Sequence, residues 1–222
     1  IDVNNVAKDE ASANQLVRGG SLAGDVEKVV TVPVEGGVDQ VGFNLMTADK
    51  LEQVSLIDPS GKKVDVEVDS VLSHEGYFPG AYHTSITKEL PEAGEWHIEL
   101  TVGTDSAYLL TVDYDTSQKI KSVKKATDDK VGLKHNDSFV YQLEVDPNQV
   151  EPSSLKATYR ITDTKHPENS KTLSTGGKAD LSRSLSFDHG DTVYNLTIDV
   201  SGKTKSGDVF KRTVIDSVYI GD

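Results

Sequence analysis

The chain is broken into short pieces, and that limits what it can fold into. After Gly19-Gly20 no helical period of apolar residues persists. Instead, short runs alternate apolar with polar residues and stop at Gly, Pro, Asp or Ser. Period-two alternation puts one side-chain row on a core and the other in solvent, the mark of a half-buried strand. In the first half such runs fall near 27–34, 38–46, 51–57, 62–69, 80–87, 95–102 and 106–114. In the second they fall near 119–126, 138–145, 154–162, 180–187, 192–200 and 207–220. Strands of this length with turns every 8–12 residues build antiparallel sandwiches. Only residues 5–17, ended by Gly19-Gly20, suit a short helix or ordered linker.

A length of 222 residues suits one large domain or two of about 100 residues each. Charge separates the two. Residues 1–116 hold 7 Lys and Arg against 21 Asp and Glu, a net of −14, and residues 117–222 hold 16 against 15, a net of +1. The step falls where a strand-like run ends and the basic stretch Lys119–Lys125 begins. The expected organisation is therefore a linker or short helix over 1–24, an acidic jelly-roll-like β-sandwich over 25–116, and an Ig- or fibronectin-like β-sandwich over 117–222. The fold class is all-β, two tandem antiparallel sandwiches.

The overall charge of −13 argues against nucleic acid, which needs a basic face. No apolar run approaches the roughly 20 residues of a membrane-crossing helix. There are no cysteines, so disulfides, thiolate zinc sites and thiol catalysis are excluded. A disulfide-pinned animal module is disfavoured, and a bacterial exported protein stays open. The start at Ile1, without Met or an apolar signal core, reads as a mature product or an excised piece. Extracellular or cell-surface localisation is expected.

The chemistry-bearing residues are few. Gly19-Gly20-Ser21-Leu22-Ala23-Gly24 nears a nucleophile elbow, but Ala23 stands where G-x-S-x-G needs Gly, so a flexible loop is expected. His74-Glu75 begins a zincin motif that Phe78 breaks. His74, His83 and His97 are three imidazoles that a transition metal could gather, against the plainer reading of surface histidines. Asp65, Glu67 and Asp69 alternate along one run, and Asp113 and Asp115 flank Tyr114. These five carboxylates are the candidates for calcium, which wants clustered oxygens; the plainer reading is a solvated face that protects a sheet edge. No other cofactor is expected. Tyr77, Phe78 and Tyr82 lie on a loop-like stretch and could form an aromatic platform for a sugar or peptide. Two N-x-S/T triplets, at Asn136 and Asn195, are of the kind that chance supplies. No catalytic set is expected.

The stretch 53–116 carries a resemblance. Val54-Ser55-Leu56-Ile57-Asp58-Pro59-Ser60-Gly61 resembles the strand and D-P-x-G turn of bacterial pre-peptidase C-terminal domains, and of the β-sandwich that follows von Willebrand factor A domains in hemicentin-like proteins. Leu90-Pro91-Glu92-Ala93-Gly94-Glu95-Trp96-His97-Ile98 and Ala107-Tyr108-Leu109-Leu110-Thr111-Val112 are similar to their later strands. The resemblance covers residues 25–116 and implies a non-catalytic accessory module of an exported multidomain protein. Its partners would be an upstream domain of the same chain and a protein or glycan at the cell surface, with no nucleic acid and no membrane insertion. The alternative is the C-terminal accessory region of a secreted lipase or protease; a carbohydrate-binding module is a third reading.

Overall fold

The computed structural model describes residues 11–72, 80–117, 120–126, 133–137 and 139–222. In chain order its strands are Ala11–Ala13 (β1), Gln15–Leu22 (β2), Lys28–Val34 (β3), Gln40–Thr47 (β4), Leu51–Ile57 (β5), Lys63–Val64 (β6), Val68–Leu72 (β7), Tyr82–Glu89 (β8) and Gly94–Val102 (β9). They continue as Ser106–Asp115 (β10), Ile120–Ala126 (β11), Leu133–Lys134 (β12), Phe139–Val145 (β13), Lys156–Asp163 (β14), His166–Gly176 (β15), Arg183–Leu185 (β16), Thr192–Lys203 (β17) and Val209–Gly221 (β18). The one helical element among the described residues is a short 3-10 turn at Pro152–Ser154. The protein is all-β.

The strands form two compact units. One takes in Gln15–Ser117 with Ser206–Phe210; the other takes in the residues before Gln15, the segment ending at Lys205, and Lys211–Asp222. The helix or linker expected at the N-terminus is corrected from Ala11 onward. β1 pairs with β11, and β2 is a full-length edge strand paired with β10, so the loop expected around Ser21 is also strand. Gly19 and Gly20, read as a helix stop, lie inside that strand. A Cβ on Gly20 would come within 2.9 Å of the Tyr108 ring, so glycine there serves close approach.

In the first unit the five-stranded sheet runs β2-β10-β4-β8-β7 and the four-stranded sheet runs β3-β9-β5-β6. Successive strands pass from one layer to the other through most of the chain, which is the interleaved order of a jelly roll, with β7 as an added edge. Alternation drives the burial. In β4 every second residue is buried, Val41, Phe43, Leu45 and Thr47, and β9 buries Trp96, Ile98, Leu100 and Val102. Trp96 is 1% exposed, and its indole N–H, which must find an acceptor when buried, donates to the Glu92 carbonyl at 2.8 Å. Tyr114 of one sheet donates to the Pro33 carbonyl of the other at 2.8 Å, tying the layers through a buried bond.

The two motifs of the resemblance meet in space. Asp58 closes its turn by accepting from the Ser60 and Lys62 amides, each at 2.9 Å, and from the Ser60 hydroxyl at 2.6 Å. The Ser60 hydroxyl, then the Lys62 amide, hold the Asp58 carboxyl below its ordinary range. Pro59 of that turn lies against Gly94, where a Cβ would stand 2.7 Å from the proline Cβ and where φ is +140°. Only glycine meets both conditions.

One expected strand is broken. The 62–69 run becomes β6 in one sheet and β7 in the other, with 65–67 as the crossing. The alternation of Val64, Val66 and Val68 therefore follows a chain changing layers, and Asp65, Glu67 and Asp69 do not share a strand face.

The second unit has the same layer sizes, with sheets β1-β11-β13-β16 and β12-β18-β17-β14-β15. All pairings given for it are antiparallel except β12 with β18. Its core is aromatic. Phe139, Tyr141 and Phe187 are linked by ring contacts of 6.1–6.3 Å, Tyr141 meets Tyr159 at 6.2 Å, and Phe187 meets Tyr194 at 5.0 Å. The buried phenols are satisfied: Tyr159 donates to the Leu181 carbonyl at 2.7 Å and Tyr141 to Asp216 at 3.0 Å. Burial pushes the Tyr159 phenol up from its ordinary value, so it stays a donor.

Candidate functional site

The residues singled out from the sequence are scattered by the fold. Tyr77, Phe78, His74 and Glu75 lie outside the described residues. Tyr82 is half-buried at the start of β8, between Leu72 and Thr47. His83 is its exposed neighbour, facing the opposite side of the sheet. His97 is on β9 in the other sheet, with Nδ1 3.1 Å from the Thr31 hydroxyl.

The carboxylates fall into two sets. Asp69 pairs with Ser85, Ser85 with Asn44, and Asn44 with Thr111. The β10 carboxylates thus lie three strand spacings from β7, roughly 14 Å. Asp113 accepts from the Asn44 amide at 2.9 Å, and Ser85 donates to the same Asn44 at 3.2 Å. Among the described residues, no group of three or more His, Asp or Glu is placed to hold a metal ion.

A polar cluster that the alternation pattern does not reveal stands at one corner of the second unit. Asp163 ends β14 and is buried. Its Oδ1 accepts from the Thr192 hydroxyl at 2.6 Å and the Lys165 amide at 2.9 Å, and its Oδ2 lies 3.2 Å from His166 Nδ1. The Thr192 hydroxyl above all, with the Lys165 amide and His166, holds the carboxyl down to about 2. The His166 ring faces His189 at 5.5 Å, and the His189 amide donates to the Tyr194 hydroxyl at 2.9 Å. Lys171 pairs with Asp188 at 2.9 Å. A cavity of about 20 Å³ lies among these groups, room for about one water.

An aspartate bonded to a histidine could orient a general base. Here the neighbouring hydroxyls are spent elsewhere: Thr192 donates to Asp163, and Ser170 bonds Thr162 at 2.9 Å. What the cluster does physically is clamp the β14–β15 turn to the segment entering β17. Its sequence signal was Asp163-Thr164-Lys165, a turn whose carboxylate caps its own backbone.

A larger cavity, of about 340 Å³, opens in the first unit beside the β6–β7 crossing. It is lined by Val54, Ser55, Leu56, Lys63, Val64, Asp65, Val66 and Val68. No sequence motif marks it, because it arises where two layers part.

No family model and no curated protein matches the sequence. Among solved structures the chain is similar to the crystal structure of the Bacillus licheniformis lipase BlEst2 in propeptide form, with a TM-score of 0.65 at 23% identity. The match covers 95% of this chain and 42% of that one, so the chain spans less than half the length of the lipase it resembles. At this identity the likeness is one of fold.

Proposed function

We infer that this chain is a non-catalytic accessory region of a larger exported bacterial hydrolase, and that the hydrolase acts on carboxylic esters. The observation that carries the reading is the likeness over 95% of the chain to a lipase in its propeptide form. A region covering 42% of that lipase leaves ample length for a separate catalytic domain. The region would act by aiding the folding of that domain or governing substrate approach. The exported setting is part of the proposal, and a chain without cysteine needs no oxidising compartment to fold.

Within this reading the first unit is an accessory jelly roll of the kind found beside exported peptidases. The second is an Ig-like sandwich, supported by its sheet order and by Tyr194. That tyrosine lies near the start of β17, and its hydroxyl accepts from the His189 amide upstream, the arrangement of a tyrosine corner.

The coding sequence on either side of residues 1–222 tests the proposal. A G-x-S-x-G motif set between a strand and a helix of an α/β pattern is the expected finding. A neighbouring region without hydrolase motifs, or with those of another enzyme class, overturns it.

A further inference from the structure

The corner cluster of the second unit holds two histidines whose backbones are fixed by separate bonds. His166 opens β15 directly after the Asp163-Thr164-Lys165 turn, where Asp163 accepts from the Lys165 amide at 2.9 Å and from the Thr192 hydroxyl at 2.6 Å. His189 lies in the segment entering β17, and its amide donates to the Tyr194 hydroxyl at 2.9 Å. The two rings stand 5.5 Å apart between centres, inclined at 40°, and both residues are exposed. The Asp163 carboxyl is buried and held down to about 2, so near neutral pH it is ionised and only accepts. His166 Nδ1, 3.2 Å from its Oδ2, therefore carries the bonding hydrogen. In the neutral ring that leaves Nε2 with its lone pair.

We propose that His166 and His189 bind one divalent transition-metal ion through their imidazole nitrogens, with Asp163 as the carboxylate that orients His166. Imidazole suits zinc, nickel and copper, whereas calcium and magnesium want oxygen. A histidine ligand ordinarily donates its other ring N–H to a carboxylate or carbonyl, which fixes the ring and raises its basicity. The pairing of Asp163 with His166 already has that form. The spacing agrees. Two imidazoles on one tetrahedral ion, with metal–nitrogen bonds of about 2.0 Å, have ring centres roughly 5 Å apart, so the observed 5.5 Å asks for a turn of the exposed His189 ring and no shift of backbone. The neighbouring ammonium groups are paired with other carboxylates, Lys171 with Asp188 at 2.9 Å and Lys165 with Asp191 at 3.9 Å. Two imidazoles fill half of a four-coordinate shell and water fills the rest. The ion is thus an exchangeable clamp between the β14–β15 turn and the segment entering β17, not a closed structural centre. The proposal rests on the geometry of this corner and is independent of the hydrolase reading.

The test uses the 222-residue chain, freed of metal by chelation, with zinc, nickel and copper chlorides and with magnesium and calcium chlorides as controls. Calorimetry is expected to show one zinc bound per chain, tighter binding of copper than of nickel or zinc, and none of magnesium or calcium. In nitrogen-15 spectra of the histidine rings, zinc is expected to shift His166 Nε2 and one ring nitrogen of His189 together, leaving the His166 Nδ1 hydrogen in place. His166→Ala and His189→Ala are each expected to weaken zinc by about tenfold or more, and Asp163→Asn by about 10–100-fold, the usual weight of a ligand's carboxylate partner. His97→Ala, in the first unit, is expected to change nothing. Zinc that binds His189→Ala as well as the parent overturns the proposal. So do ring shifts centred on other histidines, or histidine spectra that zinc leaves unchanged. Those spectra are taken on the parent chain, so they decide the matter even where a variant fails to fold. A negative result leaves the hydrolase reading intact, because that reading is judged on the neighbouring coding sequence.

Discussion

The two sandwiches have the same layer sizes and hold themselves together differently. The first buries mainly aliphatic rows around Trp96, with Phe43, Tyr108 and Tyr114 among them, and its exposed surface carries the protein's acidity. The second, close to neutral, links its layers through a chain of aromatic rings, with phenols bonded to Leu181, Asp216 and the His189 amide. Aliphatic packing is non-directional and tolerates a parting of the layers such as the cavity at β6–β7. A tyrosine core is directional, because each buried hydroxyl must reach a partner. The contrast is one of degree: the first unit is altered mainly at its volume, with the Tyr114 to Pro33 bond as its tyrosine tie between layers, and the second mainly at its hydrogen bonds.

The largest way to break this comparison is to empty the first core. Trp96→Ala removes the largest buried side chain and is expected to cost about 3–5 kcal/mol. Amide hydrogen exchange is expected to show lost protection in β3, β5 and β9, with β13, β14 and β17 unchanged. Equal loss in both units would mean that they unfold as one.

A smaller effect tests the second unit. Tyr159→Phe keeps the ring but leaves the Leu181 carbonyl unpaired, at a cost of roughly 1–3 kcal/mol. Trp96 is the chain's one tryptophan, so its fluorescence follows the first unit and is expected to keep its denaturation midpoint. A shifted midpoint would contradict the separation of the two cores.

Much of the fold is legible because alternation is a direct record of burial. β4, β5, β9, β10, β13 and β17 fall on runs visible in the sequence, and Trp96 lies in the core as its row requires. What escaped has physical causes. β15 is an edge strand with almost wholly exposed residues and a proline, so nothing in His166–Gly176 records a core. β2 hides behind two glycines, of which Gly20 serves the close approach of Tyr108. The Asp163 cluster joins residues 29 apart in the chain, a distance at which spacing carries no signal.

The mildest effect is confined to acid. The Asp163 carboxyl titrates at about 2 in the folded chain against an ordinary 3.8, so its ionised form stabilises the fold above about pH 4, and that contribution fades as pH falls toward about 2. Asp163→Asn is expected to be less stable than the parent near pH 6, with the two converging near pH 2, in urea titrations across that range. A difference independent of pH would show that the clamp works through shape and not through charge.

These sandwiches are proposed to serve a hydrolase without performing its chemistry. The decisive measurement is hydrolysis of a p-nitrophenyl ester by three proteins: the parent carrying residues 1–222, the parent refolded without them, and the 222-residue chain alone. No turnover by the isolated chain is expected, and a changed refolding yield or kcat/KM when the region is removed. Turnover by the isolated chain, or a parent indifferent to its loss, would contradict the proposal.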